Sequence, residues 1–182
     1  MAEEPNHSLE NFLRKTFQPI LDKIADYCIA LGITANTVTL SGLIGDLIAA
    51  MLIGSGHLTW GGVIAMLMGP LDALDGALAR KQGQTTPFGA FLDSVTDRYD
   101  ELLLLGGLIY YFSNMGNKTG VVLTFLAAAG SVLVSYIRAR AEALGFDAKM
   151  GILTRVERYL ILIPGLLFRI PLISVGIIAV LG

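Results

Sequence analysis

The sequence predicts an all-α integral membrane protein, with six transmembrane helices preceded by an amphipathic helix at the membrane interface. Three observations predict it. Of 182 residues, 54% are hydrophobic and only 15% charged, with mean hydropathy +0.66; a soluble domain carries about 25% charged residues. Apolar runs such as Thr59–Leu71, Leu102–Phe112, Gly120–Ile137 and Tyr159–Phe168 alternate with short breaks. Lys and Arg also collect on one side of the segments so drawn.

The first element is residues 8–31. Leu9, Phe12, Leu13, Phe17, Ile20, Leu21, Ile24 and Cys28 recur at three- and four-residue steps, and Ser8 can cap the start. Arg14, Lys15, Asp22 and Lys23 lie mostly off that stripe. Such a helix suits the interface, and an ordinary core-facing helix is the other reading. The spans of one membrane domain, residues 37–182, follow at about 37–54, 59–80, 87–113, 118–144, 152–168 and 170–182. Breaks fall at "GSGH", "QGQTTP", "NMGNK", "GFDAKMG" and "FRIP", where Gly, Asn and Pro punctuate. The last span makes about 20 Å of helix against a bilayer core of about 30 Å, so this helix is expected to continue past Gly182.

Eleven basic residues fall on one side and two, Lys118 and Arg169, on the other. The N-terminus and the loop at residue 84 are therefore expected to be cytoplasmic in a multi-pass protein of the cell membrane. Net charge −2 gives no reason to expect nucleic acid. The single Cys28 excludes an internal disulfide and a cysteine zinc site. His7 and His57 read as loop or surface residues. No cleaved signal is expected, because the acidic N-terminus lacks an apolar core segment.

Four carboxylates stand out in this apolar chain. An acid at mid-membrane costs about 2.5–3.5 kcal/mol on insertion scales, so four need water, partners or a cation. Asp72 and Asp75 share one helical face by i,i+3 spacing, and Asp93 and Asp97 by i,i+4. The pairs lie on consecutive helices joined by a short loop and can face each other. Oxygen-only ligands select Mg²⁺, Mn²⁺ or Ca²⁺, and two metals fit four carboxylates better than one. Such a site can clamp a phosphoryl displacement. Gly76 lets a substrate approach the backbone, and Arg80 suits a diphosphate. Gly89 opens space or allows tight packing. Inert ion pairs with Arg80, Lys81 and Arg98 are the alternative for any single acid. A divalent-cation carrier is the alternative for the set, although it gives Gly76 and Arg80 no task.

The pattern Asp72-x₂-Asp75-Gly76-x₂-Ala79-Arg80-x₈-Gly89-x₃-Asp93-x₃-Asp97 resembles, at all eight defined positions, the signature of the CDP-alcohol phosphotransferase family. The resemblance extends along the chain. "ITANTVT" (Ile33–Thr39) looks like the opening of the family's first span, with Ala35 where proline is usual. The resemblance implies that Asp72, Asp75, Asp93 and Asp97 hold two divalent cations, Mg²⁺ first and Mn²⁺ second. It makes Asp97 the general base as well. It places the CDP-lipid on Gly76, Arg80 and Thr86, with Asn36 and Thr39 as weaker candidates. The implied reaction is displacement of CMP from a lipid such as CDP-diacylglycerol by an alcohol, in a homodimer surrounded by membrane lipid.

The acceptor is read elsewhere. Arg138, Arg140, Arg155 and Arg158 cluster around one loop and suit a phosphate on the acceptor, or else positive-inside charge beside anionic lipid. "SYIRARAE", the following "RVER" and "LDSVTDR" resemble the phosphatidylinositol-phosphate synthase branch and its archaeal ether-lipid relatives. In that branch Arg138 and Arg158 match basic positions that bind inositol phosphate. Position 138 is often lysine there, and an arginine late in its last span has no counterpart here. The expected acceptor is a small phosphorylated polyol, inositol 1-phosphate, with glycerol 3-phosphate as the alternative. Asp46, inside the first span, lies outside the signature and has no evident partner. Asp100 and Glu101 are expected either to support the site or to pair with Arg98 and Lys81.

Overall fold

A computed structural model describes residues 9–83, 85–146 and 153–182, with side chains from residue 17 onward. Ser8, His7, Lys149 and the side chains of Leu9, Phe12, Leu13, Arg14 and Lys15 lie outside the described residues. All regular structure among the described residues is helical: α1 (Leu9–Ala30), α2 (Ala35–Gly54), α3 (Leu58–Lys81), α4 (Pro87–Asn114), α5 (Lys118–Ala143), α6 (Arg155–Leu167) and α7 (Pro171–Leu181). Each predicted element is present within three residues at each described end. α2, α3 and α5 are long and apolar enough to cross a membrane. α4 is longer still, but its first fifteen residues carry Asp93, Asp97, Arg98, Asp100 and Glu101. α6 and α7 have 13 and 11 residues.

Local chemistry starts and stops these helices. Thr34, Thr86, Asn117 and Thr154 cap α2, α4, α5 and α6 with side-chain oxygens. Thr154 and Glu157 complete a reciprocal capping box, and Pro87 pre-sets the first turn of α4. Gly116 ends α4 at φ 67°, a left-handed conformation that glycine adopts without a Cβ penalty.

α2 packs against α3 and α4, α4 against α5, and α6 against α3 and α7. The main core lies toward the end where α2 meets α3. It is built from Ala49 and Ile53 of α2, Leu104, Leu105 and Leu108 of α4, and Leu162 and Leu166 of α6, among others. Helices α2 and α4 cross closely at Gly107, where a Cβ would stand 2.5 Å from the Ala50 carbonyl oxygen. A smaller core joins Leu21 and Ala25 of α1 to Val38, Leu74 and Leu78. Only part of the predicted α1 stripe is buried. Leu21 turns inward, while Phe17, Ile20 and Ile24 remain exposed. Lys81, at the end of α3, holds α1 through the Asp22 carbonyl at 2.7 Å and the Asp26 carboxylate at 2.6 Å.

Candidate active site on α3 and α4

The site forms where the last half of α3 meets the first half of α4. The short connection turns the chain back, so Asp72 and Asp97 come together from opposite arms of the hairpin. One oxygen each from Asp72, Asp97 and Asp100 lies within 4.8 Å of the others. Asp100 is 2% exposed, and its Oδ1 is buried with no protein partner. Asp75 is buried on the same helix as Asp72, and the Thr39 hydroxyl donates to its Oδ2 at 2.5 Å. That bond brings α2 into the site. Gly42, one turn further along α2, faces Asp72 Oδ1. Asp93 is exposed, one turn before Asp97.

Arg155 enters this group from the start of α6. Its Nη2 donates to Asp72 Oδ2 at 2.7 Å, its Nη1 donates to Asp97 Oδ1, and Asp100 Oδ2 lies 3.6 Å from Nη2. Three carboxylates thus share one guanidinium, which leaves an excess of negative charge in a half-buried place. The orphaned Asp100 oxygen and the all-oxygen donor set fit a hard divalent cation.

The remaining predicted residues are distributed around this centre. Gly76 faces Arg80: a Cβ on Gly76 would lie 3.4 Å from Arg80 Nη1, so glycine leaves the guanidinium room. Thr86 accepts from Gly89 N at 3.0 Å, which keeps its own O–H proton available to donate. Asn36 and Arg80 are exposed. The four arginines expected to act together are divided. Arg155 joins the carboxylates. Arg158, 4% exposed, donates to both oxygens of Glu101 at 2.6 and 3.0 Å and to the Leu153 carbonyl. Arg138 pairs with Glu142 one turn along α5, and Arg140 is exposed.

Of the two expectations for Asp100 and Glu101, support of the site or pairing with Arg98 and Lys81, the structure favours the first for Asp100, which joins Asp72 and Asp97, and neither cation takes up Asp100 or Glu101. Instead Lys81 is taken by Asp26, and Arg98 bonds Ser94 Oγ at 2.9 Å and approaches Asp97 at 3.8 Å. The i,i+3 step from Asp97 to Asp100 was the available signal. Asp46 also gains a partner, because the Tyr159 hydroxyl donates to its Oδ2 at 3.4 Å.

The family model described as CDP-alcohol phosphatidyltransferase matches residues 32–181, from before α2 to the end of α7. The chain belongs to the CDP-alcohol phosphatidyltransferase family. This family member is therefore an enzyme and a membrane protein. It is similar to the phosphatidylinositol phosphate synthase of Mycobacteroides abscessus, 38% identical over 157 residues, covering 85% of this chain and 71% of that one. It is also similar to the archaetidylinositol phosphate synthase of Methanothermobacter thermautotrophicus, 36% identical over 160 residues, covering 88% and 78%. Among solved structures, it resembles Mycobacterium tuberculosis phosphatidylinositol phosphate synthase with CDP-DAG bound (TM-score 0.84, 30% identity, 90% and 87% of the two chains). The same synthase in complex with manganese and citrate gives a TM-score of 0.83 at 29% identity, covering 88% and 82%.

Proposed function

We propose that this phosphatidyltransferase moves a lipid phosphate group from a CDP-lipid such as CDP-diacylglycerol to a hydroxyl of inositol 1-phosphate, releasing CMP. The observation that carries the reading is the meeting of Asp72 and Asp97, the two ends of the family's signature, with Asp100 between α3 and α4. The similarity to synthases that make inositol-phosphate lipids in two different lipid backgrounds supports the acceptor. A synthase structure with CDP-DAG supports the donor.

Asp72, Asp75, Asp93 and Asp97 would hold two divalent cations, Mg²⁺ first, with Asp100 behind them; a manganese complex of a similar synthase supports a divalent metal. Bound there, such a cation neutralises the diphosphate and makes CMP a better leaving group. The chain supplies the rest. Arg80, given room by Gly76, donates N–H groups to the diphosphate. Thr86, Asn36 and Thr39 line the donor side, and Thr39 also fixes Asp75. Asp97 accepts the proton of the attacking hydroxyl. The acceptor phosphate falls to the arginines near the loop after α5: Arg138 and Arg140 on that helix, Arg155 and Arg158 on α6.

The helices α2 to α7 act in this reading as six spans of one membrane domain. Exposed Phe17, Ile20 and Ile24 let α1 lie on the cytoplasmic face of the cell membrane, and the enzyme works as a homodimer. The test is a transfer assay on the full chain in lipid nanodiscs. It uses CDP-diacylglycerol with inositol 1-phosphate, glycerol 3-phosphate, serine and free inositol as separate acceptors. CMP release with inositol 1-phosphate, lost on chelation and restored by Mg²⁺, is expected. Turnover only with glycerol 3-phosphate overturns the acceptor.

A further inference from the structure

The Arg155 guanidinium bridges two carboxylates that sit on opposite arms of the α3–α4 hairpin, Asp72 and Asp97. It does not reach them from the hairpin itself but from α6. Its orientation is set one turn further along that helix, where the Tyr159 ring lies against the guanidinium with 5.4 Å from its carbon to the ring centroid. Tyr159 is tied in turn to Asp46 of α2 through its hydroxyl. Asp46 is 3% exposed, and its second oxygen has no protein partner. A buried acid outside the signature, in an apolar helix, thus ends in a chain of contacts that leads to the centre of the site.

A guanidinium and a divalent cation seek the same carboxylate oxygens. A cation held by Asp72 and Asp97 would stand at contact distance from Arg155, and like charges that close in a half-buried site repel strongly. We propose that Arg155 is a built-in competitor for the divalent cation, which must displace the guanidinium from Asp72 and Asp97, and that Asp46 acts through Tyr159 as a positioning residue holding Arg155 there. The arrangement keeps the acids compensated before metal arrives and lowers the metal affinity of the site. This rests on the reading that Asp72 and Asp97 hold metal.

The test is a Mn²⁺ titration of the full chain in nanodiscs without CDP-lipid, with free Mn²⁺ read by electron paramagnetic resonance. Arg155→Gln is expected to bind Mn²⁺ about tenfold more tightly than wild type, because a contact charge is removed. Arg98→Gln removes the same charge from the site's exposed edge and is expected to stay within about twofold, as exposed pairs do. Tyr159→Phe keeps the ring and loses the tie to Asp46, and is expected to tighten binding by about two- to threefold. The sign is opposite to that expected if Asp46 merely lent negative charge to the cation. Arg155→Gln is also expected to unfold at lower temperature than wild type in chelator and to recover when Mn²⁺ is added. If Arg155→Gln does not fold, Arg155→Lys carries the test, since lysine keeps the charge but cannot bridge both acids; tighter binding is again expected. Asp97→Asn separates the two ideas. If it binds less Mn²⁺ while the Arg155 variants bind as wild type, the competitor is overturned. Equal tightening in Arg98→Gln overturns it too. If Asp97→Asn binds as wild type, the metal reading itself fails.

Discussion

The Thr39 hydroxyl donates to Asp75 Oδ2 at 2.5 Å, joining α2 to α3 across 36 positions of sequence. Both residues are buried. A carboxylate acceptor strengthens such a bond, and this one ties one acid of the signature to α2. Thr39→Val keeps the shape and removes the donor. It is expected to cost about 1.5–3 kcal/mol in thermal unfolding and to lower turnover by at least about tenfold. Thr39→Ser, which keeps the hydroxyl, should recover most of both. Wild-type stability in Thr39→Val would show that Asp75 does not need α2.

Asp97 is the acid whose loss should separate chemistry from folding. Asp97→Asn retains the size and the hydrogen-bonding reach of the side chain but cannot take a proton at the pH of the assay. CMP release should fall by about 10²- to 10⁴-fold, the usual contribution of a positioned base. The melting temperature in detergent should move little. Turnover close to wild type removes Asp97 from the base role.

Adjacent glycines on α4 give a paired test of the bundle. At Gly107 a Cβ would press on the Ala50 carbonyl, whereas at Gly106 a Cβ meets nothing within 4 Å. Gly107→Ala must push α2 and α4 apart and should destabilise the protein by about 1–3 kcal/mol or more. Gly106→Ala should be neutral or stabilise by up to about 1 kcal/mol, because alanine favours helix. Equal melting temperatures for the two variants would mean that α2 and α4 do not meet at this crossing.

Arg158 is predicted to be structural first. Truncating it leaves Glu101 buried without its counter-ion, so Arg158→Ala should lose about 3–5 kcal/mol even with no acceptor present. The double change Arg158→Leu with Glu101→Leu should recover most of that loss. A variant Arg158→Ala that unfolds like wild type, but with a raised KM for the acceptor, would return the residue to the phosphate-binding role alone.

Much of this architecture is legible in the sequence alone. The helices are legible because apolar runs in this chain are long and their ends carry local signals: threonine or asparagine at the starts, glycine at the stops. The aspartate pairs are legible because both lie within one or two turns, where spacing alone fixes the face. What the sequence hides depends on tertiary phase. Arg155 and Arg158 are three residues apart and look alike, yet α6 sends one into the carboxylate cluster and the other onto Glu101. Asp46 finds Tyr159 113 positions away, a pairing that no periodicity reports. Asp100 is within reach of the spacing rule, three residues after Asp97, but spacing alone leaves open whether it supports the site or pairs with a nearby cation.

The grip of Lys81 on α1 has a consequence for depth. Lys81 is the last residue of α3, nine residues beyond Asp72, a helical distance of about 14 Å. Its ammonium group is fastened to Asp22 and Asp26 of α1. In the proposed reading, where α1 lies on the bilayer surface and α3 carries the metal-binding acids, these contacts would moor the one helix to the other at a set offset. Lipid headgroups at that surface would then arrive at a set height relative to Asp72, and α1 would serve as the enzyme's waterline, with Lys81 marking the draught.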